Sequence, residues 1–339
     1  MAMRRVSKRR GFMRNNMDFG KIPSEFYGDA PDGSKKISRI LLGTASAPYA
    51  NGAEQNALLD EMFASGITAY DTARVYGGAE ECLGNWMASR KNRDKVWIET
   101  KCGHPDASGH KRVNEQAMRR DLETSLAALK TDYVDALLLH RDDEDVPVSE
   151  ITEIFNMFYR EGKVRAFGVS NWNYLRFSEA NDYAAAHGLR PLTFSSPCFS
   201  LADMVGDPWG GCVSLSGEKN AAARGWYKQS RIPVIAYASL ARGLFSGKVS
   251  DAESAAACMD AVGLCAYGCE ANYARAKRCA ALAQEKGMTA AQVALAWIFR
   301  QGLNVFAVIG TSNPARMREN IAAFSLALTK DECNWLNGR

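Results

Sequence analysis

The stretch Thr68–Gly77, which reads TAYDTARVYG, decides how the rest of this sequence is interpreted. A short β-prone run ends in Asp71, and Tyr76 follows in a predicted loop. A carboxylate at a strand end and a phenol just beyond it form a pair that can take part in proton transfer. The stretch therefore predicts a strand that ends at a catalytic site.

Two further segments end in ionisable residues in the same way. One hydrophobic run ends with Lys101, inside Ile98–Gly103 (IETKCG). Another ends with His140, inside Asp135–Arg141 (DALLLHR). Three consecutive predicted strands thus deliver ionisable groups at their C-terminal ends. A parallel α/β barrel keeps its active site at that end of the strands.

Strand and helix patterns alternate along the whole chain, which predicts a parallel sheet. Eight such units, without a GxGxxG after the first strand, favour a closed (β/α)8 TIM barrel over a dinucleotide-binding fold. The predicted strands are 37–44, 68–71, 96–100, 133–139, 164–169, 192–195, 233–237 and 304–309. The predicted helices are 54–65, 79–89, 114–129, 148–161, 173–187, 218–230, 270–286, 289–301 and 314–323.

The domain organisation follows from this alternation. Residues 37–339 are predicted to form one barrel domain, because α/β barrels run long as single domains. Residues 1–36 show no firm element and are predicted to be a basic, flexible extension. The stretch 203–217, rich in glycine and without periodicity, is predicted to be an irregular substrate loop, since long irregular segments in compact domains are usually functional.

The composition is that of an ordinary globular protein, with 47% hydrophobic and 24% charged residues among 339. No apolar run is long enough for a membrane span, and we expect no membrane partner. Much of the excess positive charge lies in the first fourteen residues, and the near-neutral remainder argues against nucleic-acid binding. No apolar core follows the basic start, so a secretory signal is not expected.

Cysteine usage predicts a reducing compartment. Nine cysteines are scattered without a CxxC pair, which indicates reduced thiols and a cytoplasmic protein. Four of them lie between Cys258 and Cys279, where the spacing fits no standard zinc site. We interpret them as small buried helix residues and expect no metal.

At this point the chain resembles the aldo-keto reductase family. Asp71, Tyr76, Lys101 and His140 match that family's catalytic tetrad in order and approximate spacing. Three later segments continue the resemblance over roughly residues 37–325: 168–172 (GVSNW), 236–243 (AYASLARG) and 310–320 (GTSNPARMREN). The resemblance implies a barrel enzyme that uses a nicotinamide cofactor.

The four residues suit the reduction of a carbonyl group to an alcohol. The carbonyl oxygen gains negative charge during the reaction and needs a proton donor. We assign Tyr76 as the general acid, and Lys101 as the cation that stabilises its phenolate. Asp71 would pair with Lys101, and His140 would orient the carbonyl of an aldehyde, ketone or sugar. The resemblance implies the same roles.

The strand ends also supply candidates for a nicotinamide cofactor. Ser170 and Asn171 follow the fifth strand, where they would hold the carboxamide, and the Tyr237 ring would stack on the nicotinamide. Backbone amides in the loop after the seventh strand can reach a pyrophosphate. The residues of that loop are Ser239, Leu240, Arg242 and Gly243.

The segment before the predicted last helix is the candidate for the far end of the cofactor, because a helix N-terminus favours phosphate. The loop residues are Gly310, Thr311, Ser312 and Asn313. The resemblance implies that Arg316 binds the 2′-phosphate and that Glu319 and Asn320 contact adenine. Two positions depart from the family pattern: Ser196 replaces a glutamine, and Gly310 replaces a frequent lysine. We predict NADP(H), with NAD(H) left open.

The substrate pocket is the least specified part of the sequence. The candidates are Tyr49, His104, Trp172 and Trp209, with packing roles left open for the two tryptophans. We expect a small-molecule carbonyl compound, and nothing in the sequence predicts the oligomeric state. Two other functions stay open: a redox-sensing, cofactor-binding subunit of a larger assembly, and an enzyme that uses Lys101 as a Schiff-base amine.

Overall fold

A computed structural model describes residues 22–339 and confirms the predicted TIM barrel. An antiparallel hairpin, β1 (Tyr27–Asp29) and β2 (Lys36–Ser38), comes first. Eight parallel strands then form a closed barrel, in which the last strand pairs with the first. They are β3 (Ile40–Gly43), β4 (Ala69–Asp71), β5 (Trp97–Cys102), β6 (Val134–Leu139), β7 (Val164–Ser170), β8 (Phe194–Ser196), β9 (Val234–Ala236) and β10 (Val305–Ile309).

Helices follow the barrel strands and pack outside them. They are α1 (Asn56–Ala64), α2 (Ala79–Arg90), α3 (Glu115–Leu129), α4 (Val148–Arg160), α5 (Tyr174–Ala186), α6 (Ala221–Ser230), α7 (Ala252–Cys258), α8 (Ala261–Tyr267), α9 (Glu270–Lys286), α10 (Ala290–Phe299), α11 (Pro314–Ile321) and α12 (Lys330–Asn337). None of the helices in residues 22–339 combines the length and the apolar character needed to cross a bilayer.

Helix α3 shows how the local sequence sets an element. The Asn114 side chain accepts a hydrogen bond from the Ala117 amide at 2.9 Å and caps the N-terminus. Leu122, Leu126 and Leu129 recur at helical spacing and are buried. The helix therefore starts at its cap and turns one apolar face towards the barrel wall.

The N-terminal hairpin is a feature that sequence analysis missed. No firm element was predicted in residues 1–36, but Tyr27–Ser38 forms paired strands, and the strand predicted at 37–44 is divided between β2 and β3. Ala30 and Ile37 are buried and pack against the apolar side chains that fill the barrel interior, including Trp97 and Phe306. The hairpin thus closes the N-terminal end of the barrel. The basic segment at residues 4–14 lies outside the described residues.

Other differences lie near the C-terminus. The helix predicted at 314–323 is not the last one, because α12 follows it. The prediction that the cysteines between Cys258 and Cys279 are buried is wrong for Cys258 and Cys265, which are exposed, whereas Cys279 is buried. The segment that contains α7 and α8 is an insertion that presents parts of its short helices to solvent.

Candidate active site

The centre of the site is a buried ion pair at the C-terminal end of the barrel. Lys101 on β5 pairs with the Asp71 carboxylate on β4 and donates a second hydrogen bond to the Thr72 carbonyl at 2.8 Å. Both charged side chains are almost fully buried. A buried pair holds its geometry because separating the charges would leave each one without a partner. The structure thus fixes the Lys101 ammonium in one place.

Tyr76 and His140 lie beside this pair. The Lys101 Nζ is 5.1 Å from the centre of the Tyr76 ring, and the rings of Tyr76 and His140 are 5.8 Å apart, edge to face. The four residues predicted from the sequence therefore come together. The His140 Nδ1 is buried without a hydrogen-bond partner in residues 22–339.

The electrostatics of the site match the proposed proton donor. Burial raises the pKa of Tyr76 above its ordinary value, and the Lys101 charge opposes this rise. Burial also holds the pKa of His140 well below 6.5, and the charge of Lys101 adds to that effect. Tyr76 is therefore protonated and His140 is neutral around pH 7.

The ion pair also bears on the Schiff-base alternative. Burial by itself would lower the pKa of Lys101, but the negative charge of the Asp71 carboxylate and its hydrogen bond to Lys101 raise that pKa above the ordinary value of 10.5. A Schiff-base lysine needs the opposite, a depressed pKa that frees the amine to attack. The environment of Lys101 thus favours a fixed cation.

The loop that carries Tyr76 is anchored by a buried acid that the sequence analysis did not single out. Glu80, at the start of α2, pairs with Arg74 and accepts a hydrogen bond from the Thr100 hydroxyl at 2.5 Å. The Arg74 amide also donates to the Lys101 carbonyl at 3.4 Å. These contacts tie the loop to β5 and position Tyr76 over the ion pair.

His104 reaches the site from the loop after β5, and its ring lies 4.8 Å from that of His140. Arg112 donates to the His104 carbonyl at 3.1 Å and pairs with Asp121 at 2.7 Å. Asp121 in turn accepts from the Gly103 amide at 2.9 Å. The two charged residues, neither singled out from the sequence, hold His104 at the mouth of the site.

Glu99 is a second residue that sequence analysis missed. It lies in the barrel interior at the same register as Asp71, and its Oε1 is 3.5 Å from the Lys101 Nζ. Its side chain is fully buried, and neither oxygen has a hydrogen-bond partner in residues 22–339. Burial raises the pKa of Glu99 well above 4.5, against the opposing charge of Lys101. A carboxylate two residues before Lys101, and so on the same face of the strand, was the available signal.

The nicotinamide candidates lie beside the tetrad. The Tyr237 hydroxyl donates to the Asn171 side-chain carbonyl at 2.7 Å, and the Asn171 amide group donates to the Ser170 hydroxyl at 3.1 Å. Ser170 donates to the Ser196 carbonyl at 2.9 Å. Ser196 is buried, and the group that it contributes to this network is its backbone carbonyl. The strand ends of β7, β8 and β9 thus form one connected rim.

Backbone strain clusters on the same rim. Seven residues other than glycine have a positive φ in the described chain, and three of them (Lys91, Lys130 and Arg231) are ordinary left-handed helix caps. The other four are Asn171, Ala238, Ala241 and Arg242, with φ between 48° and 61°. Such strain is typical of ligand-binding positions and orients backbone amides towards a ligand.

The loop after β9 has mixed contacts. The Ser239 hydroxyl is buried and donates to the Ala236 carbonyl at 2.8 Å, so only its backbone can serve a cofactor. Leu240 is half-buried, and Gly243 has a φ of 97° that favours glycine. Arg242 pairs with Asp260 at the N-terminus of α8. This pair ties the loop to the inserted helices.

The N-terminus of α11 is partly occupied by its own cap. The Asn313 side chain accepts from the Ala315 amide at 2.9 Å, so it caps the helix rather than facing a ligand. Ser312 and Arg316 are exposed next to it. Gly310 and Glu319 are exposed as well, Thr311 is half-buried, and Asn320 is buried. The exposed hydroxyl and guanidinium are the groups that remain for a phosphate.

The structure separates the four substrate candidates into two kinds. His104 lies at the mouth of the site, and Trp209 is 42% exposed with its ring 6.2 Å from that of Tyr237. Tyr49 and Trp172 are not on a pocket surface. Tyr49 is fully buried and donates to the Thr311 carbonyl at 3.0 Å, and the buried Trp172 ring lies under Arg176. The burial of both side chains favours a packing role, which the sequence left open for Trp172, and substrate binding by Tyr49 and Trp172 stays a prediction.

The irregular loop contributes a contact that sequence analysis did not foresee. Arg141 Nη1 donates to the Gly210 carbonyl at 3.3 Å and lies 3.7 Å from the Cys212 Sγ. Cys212 is half-buried, and burial and the Asp207 carboxylate raise its pKa, while Arg141 and Tyr237 oppose that rise. The loop is therefore fixed next to the tetrad and next to Tyr237.

Comparison with known proteins gives a consistent result. A model described as the aldo/keto reductase family matches residues 39–338. An aryl-alcohol dehydrogenase of Pestalotiopsis microspora is 28% identical over 89% of this chain and 79% of its own length. A 6-dehydroglucose reductase of Agrobacterium fabrum is 28% identical over 88% of this chain and 92% of its own length. An uncharacterized oxidoreductase of Bacillus subtilis is 27% identical, over 89% and 92%.

Proposed function

We propose that this chain, which belongs to the aldo/keto reductase family, uses NADP(H) to reduce the carbonyl of an aldehyde, ketone or sugar to an alcohol, with Tyr76 as the proton donor. As a member of that family the chain is an oxidoreductase. The observation that carries the proposal is the buried Lys101–Asp71 pair beside Tyr76 and His140.

Each residue of the tetrad has a task that follows from its surroundings. Tyr76 is held protonated by burial, and the nearby ammonium of Lys101 stabilises the phenolate that forms when the proton leaves. Asp71 keeps Lys101 in place. Neutral His140 orients the carbonyl oxygen by a hydrogen bond.

The residues of the rim fit a nicotinamide cofactor, which when bound supplies the hydride. The Tyr237 hydroxyl after β9 is hydrogen-bonded to the Asn171 side chain after β7, and the loop that follows Tyr237 has positive φ angles at Ala238, Ala241 and Arg242. Exposed Arg316, with Ser312, supports NADP(H), because a guanidinium pairs well with a phosphate. NAD(H) stays the alternative. A single barrel domain over residues 37–339 and a cytoplasmic location stay predictions.

The test is oxidation of NADPH, followed by its absorbance, with a panel of aldehydes, ketones and sugars. Tyr76→Phe removes the proton donor, and we expect activity to fall by about 10²–10⁴-fold. Tyr174→Phe is the matched control, since its hydroxyl makes no hydrogen bond in residues 22–339 and it lies at the start of α5. Turnover that survives Tyr76→Phe would refute the assignment.

A second function is tested by the same assay. If NADPH binds but no carbonyl compound is reduced, the chain is better explained as the redox-sensing subunit considered above. The assembled tetrad favours the enzyme, since a binding module does not need a proton donor stabilised by a buried cation.

A further inference from the structure

Arg141 occupies a position between the tetrad and the irregular loop. It directly follows His140 at the end of β6, and its guanidinium contacts Gly210 and Cys212 of that loop. The Trp209 ring of the loop lies 6.2 Å from Tyr237, the predicted nicotinamide-stacking residue. Arg141 therefore lies at the same end of the barrel as the tetrad, on the side where the irregular loop covers it.

The charge of Arg141 is not paired, in contrast to the other arginines around the site. Each of those others binds a carboxylate: Arg74 pairs with Glu80, Arg112 with Asp121, Arg176 with Asp142 and Arg242 with Asp260. Arg141 has no carboxylate partner within residues 22–339, and one of its nitrogens makes both contacts, to a carbonyl and a thiol. Most of its five N–H donors are thus uncommitted.

The nearest acid of the loop is already engaged elsewhere. Asp207 accepts hydrogen bonds from the Cys212 amide at 3.0 Å and from the Trp209 amide at 3.3 Å. The Cys212 thiol, in contact with Arg141, also interacts with Asp207. Asp207 therefore shapes the loop and does not form an ion pair with Arg141. The site keeps a half-buried cation next to the position of the substrate.

From this arrangement we infer that the preferred substrates are carbonyl compounds that also carry an anionic group, and that Arg141 binds that group. A carboxylate suits the planar guanidinium fork, which can form two parallel hydrogen bonds to it. Exposed Trp209 offers a ring face to the body of such a substrate. The inference rests on the proposed reductase function and adds the charge class of its substrate.

The experiment uses two aldehydes that differ only in charge. They are 4-carboxybenzaldehyde and methyl 4-formylbenzoate, reduced by the full chain with NADPH. We expect the wild type to reduce the acid with the higher kcat/KM. Arg141→Gln should lower the ratio of kcat/KM for acid over ester by about 10- to 100-fold, the usual effect of losing a charged hydrogen-bond partner.

Controls separate binding of the anion from support of the loop. If Arg141 only fastens the loop through Gly210, Arg141→Gln slows both aldehydes equally and the ratio stays constant, which overturns the inference. Arg141→Lys keeps the charge without the fork, so we expect a ratio between those of wild type and Arg141→Gln. Arg120→Gln, an exposed change on α3 with the same charge difference, should leave the ratio unchanged.

A binding measurement keeps the inference separate from the reductase proposal. Monomethyl terephthalate and dimethyl terephthalate are titrated against wild type and Arg141→Gln in the presence of NADPH, with tryptophan fluorescence as the readout. Tighter binding of the monoester, lost in Arg141→Gln, supports the anion site even if neither aldehyde is reduced. Equal binding of the two esters to wild type overturns it.

Discussion

Replacing Lys101 by methionine tests the electrostatic core of the proposed site. The substitution keeps an unbranched side chain, one atom shorter, and removes the charge that lies 5.1 Å from the Tyr76 ring centre. With an effective dielectric constant of about 20, two unit charges at that separation interact by about 3 kcal/mol. A phenolate that loses this stabilisation forms about 10²-fold more slowly.

The pH profile should change in a defined direction. Burial raises the pKa of Tyr76, and Lys101 opposes the rise, so its removal raises that pKa further. A general acid stays active until it deprotonates, so the alkaline limb of kcat/KM for carbonyl reduction should move to higher pH in Lys101→Met. The wild type and Lys277→Met, an exposed lysine on α9, should share one profile.

Stability has to be separated from catalysis in this experiment. Lys101→Met leaves Asp71 buried without its partner, which costs about 3–5 kcal/mol. The double variant Lys101→Met with Asp71→Asn removes both charges, so it should unfold at a higher urea concentration than the single variant. Its rate loss should be smaller, because the Asp71 charge disfavours the phenolate. If the pH profile of Lys101→Met matches that of the wild type and its rate stays within about twofold, Lys101 does not act on Tyr76.

The remaining predictions concern stability and cofactor choice. Glu99→Gln should stabilise the fold relative to wild type, and the difference should grow as pH rises from about 4 to about 7. The reason is that the folded-state pKa of Glu99 lies well above 4.5, so that folding of the wild type requires proton uptake in this range. Urea unfolding at several pH values measures the difference in stability, and a pH-independent difference would contradict the prediction. The pKa of His140 is lowered well below 6.5, so the stability that depends on its neutral imidazole is present above that pH and is lost as pH falls. The wild type should therefore lose stability relative to His140→Asn in acid. If the unfolding free energies of the two proteins change in parallel with pH, the imidazole is not held neutral by burial. Arg316→Ala should raise the KM for NADPH by about 10-fold or more and leave the KM for NADH unchanged. An equal effect on both KM values would contradict binding of the 2′-phosphate by Arg316. Gly84→Ala should destabilise α2 by about 1–3 kcal/mol, since a Cβ there would overlap the Ala128 carbonyl oxygen of α3. Gly225→Ala on α6, where nothing lies within 4 Å, is the control in thermal unfolding.

Much of the fold could be predicted from local sequence patterns. A buried parallel strand is a short apolar run, and an amphipathic helix repeats its apolar residues every three or four positions, so both leave a trace in the sequence. The predictions were wrong where this periodic pattern of apolar residues is weak. The strands Tyr27–Asp29 and Lys36–Ser38 are three residues each, and their burial depends on the N-terminal end of the barrel that they cover. The exposure of Cys258 and Cys265 depends on how the insertion packs.

The sequence by itself determined the barrel and the four residues at its strand ends, because strand periodicity and strand order are properties of the local chain. Only the tertiary structure decided what those residues contact. Glu99 lies beside Lys101 because strand register places it inside the barrel. Tyr49 and Trp172 are buried, and Arg141 contacts the loop at Gly210. Both results arise because closure of the barrel brings distant segments together. Such contacts depend on the path of the whole chain, which no single segment encodes.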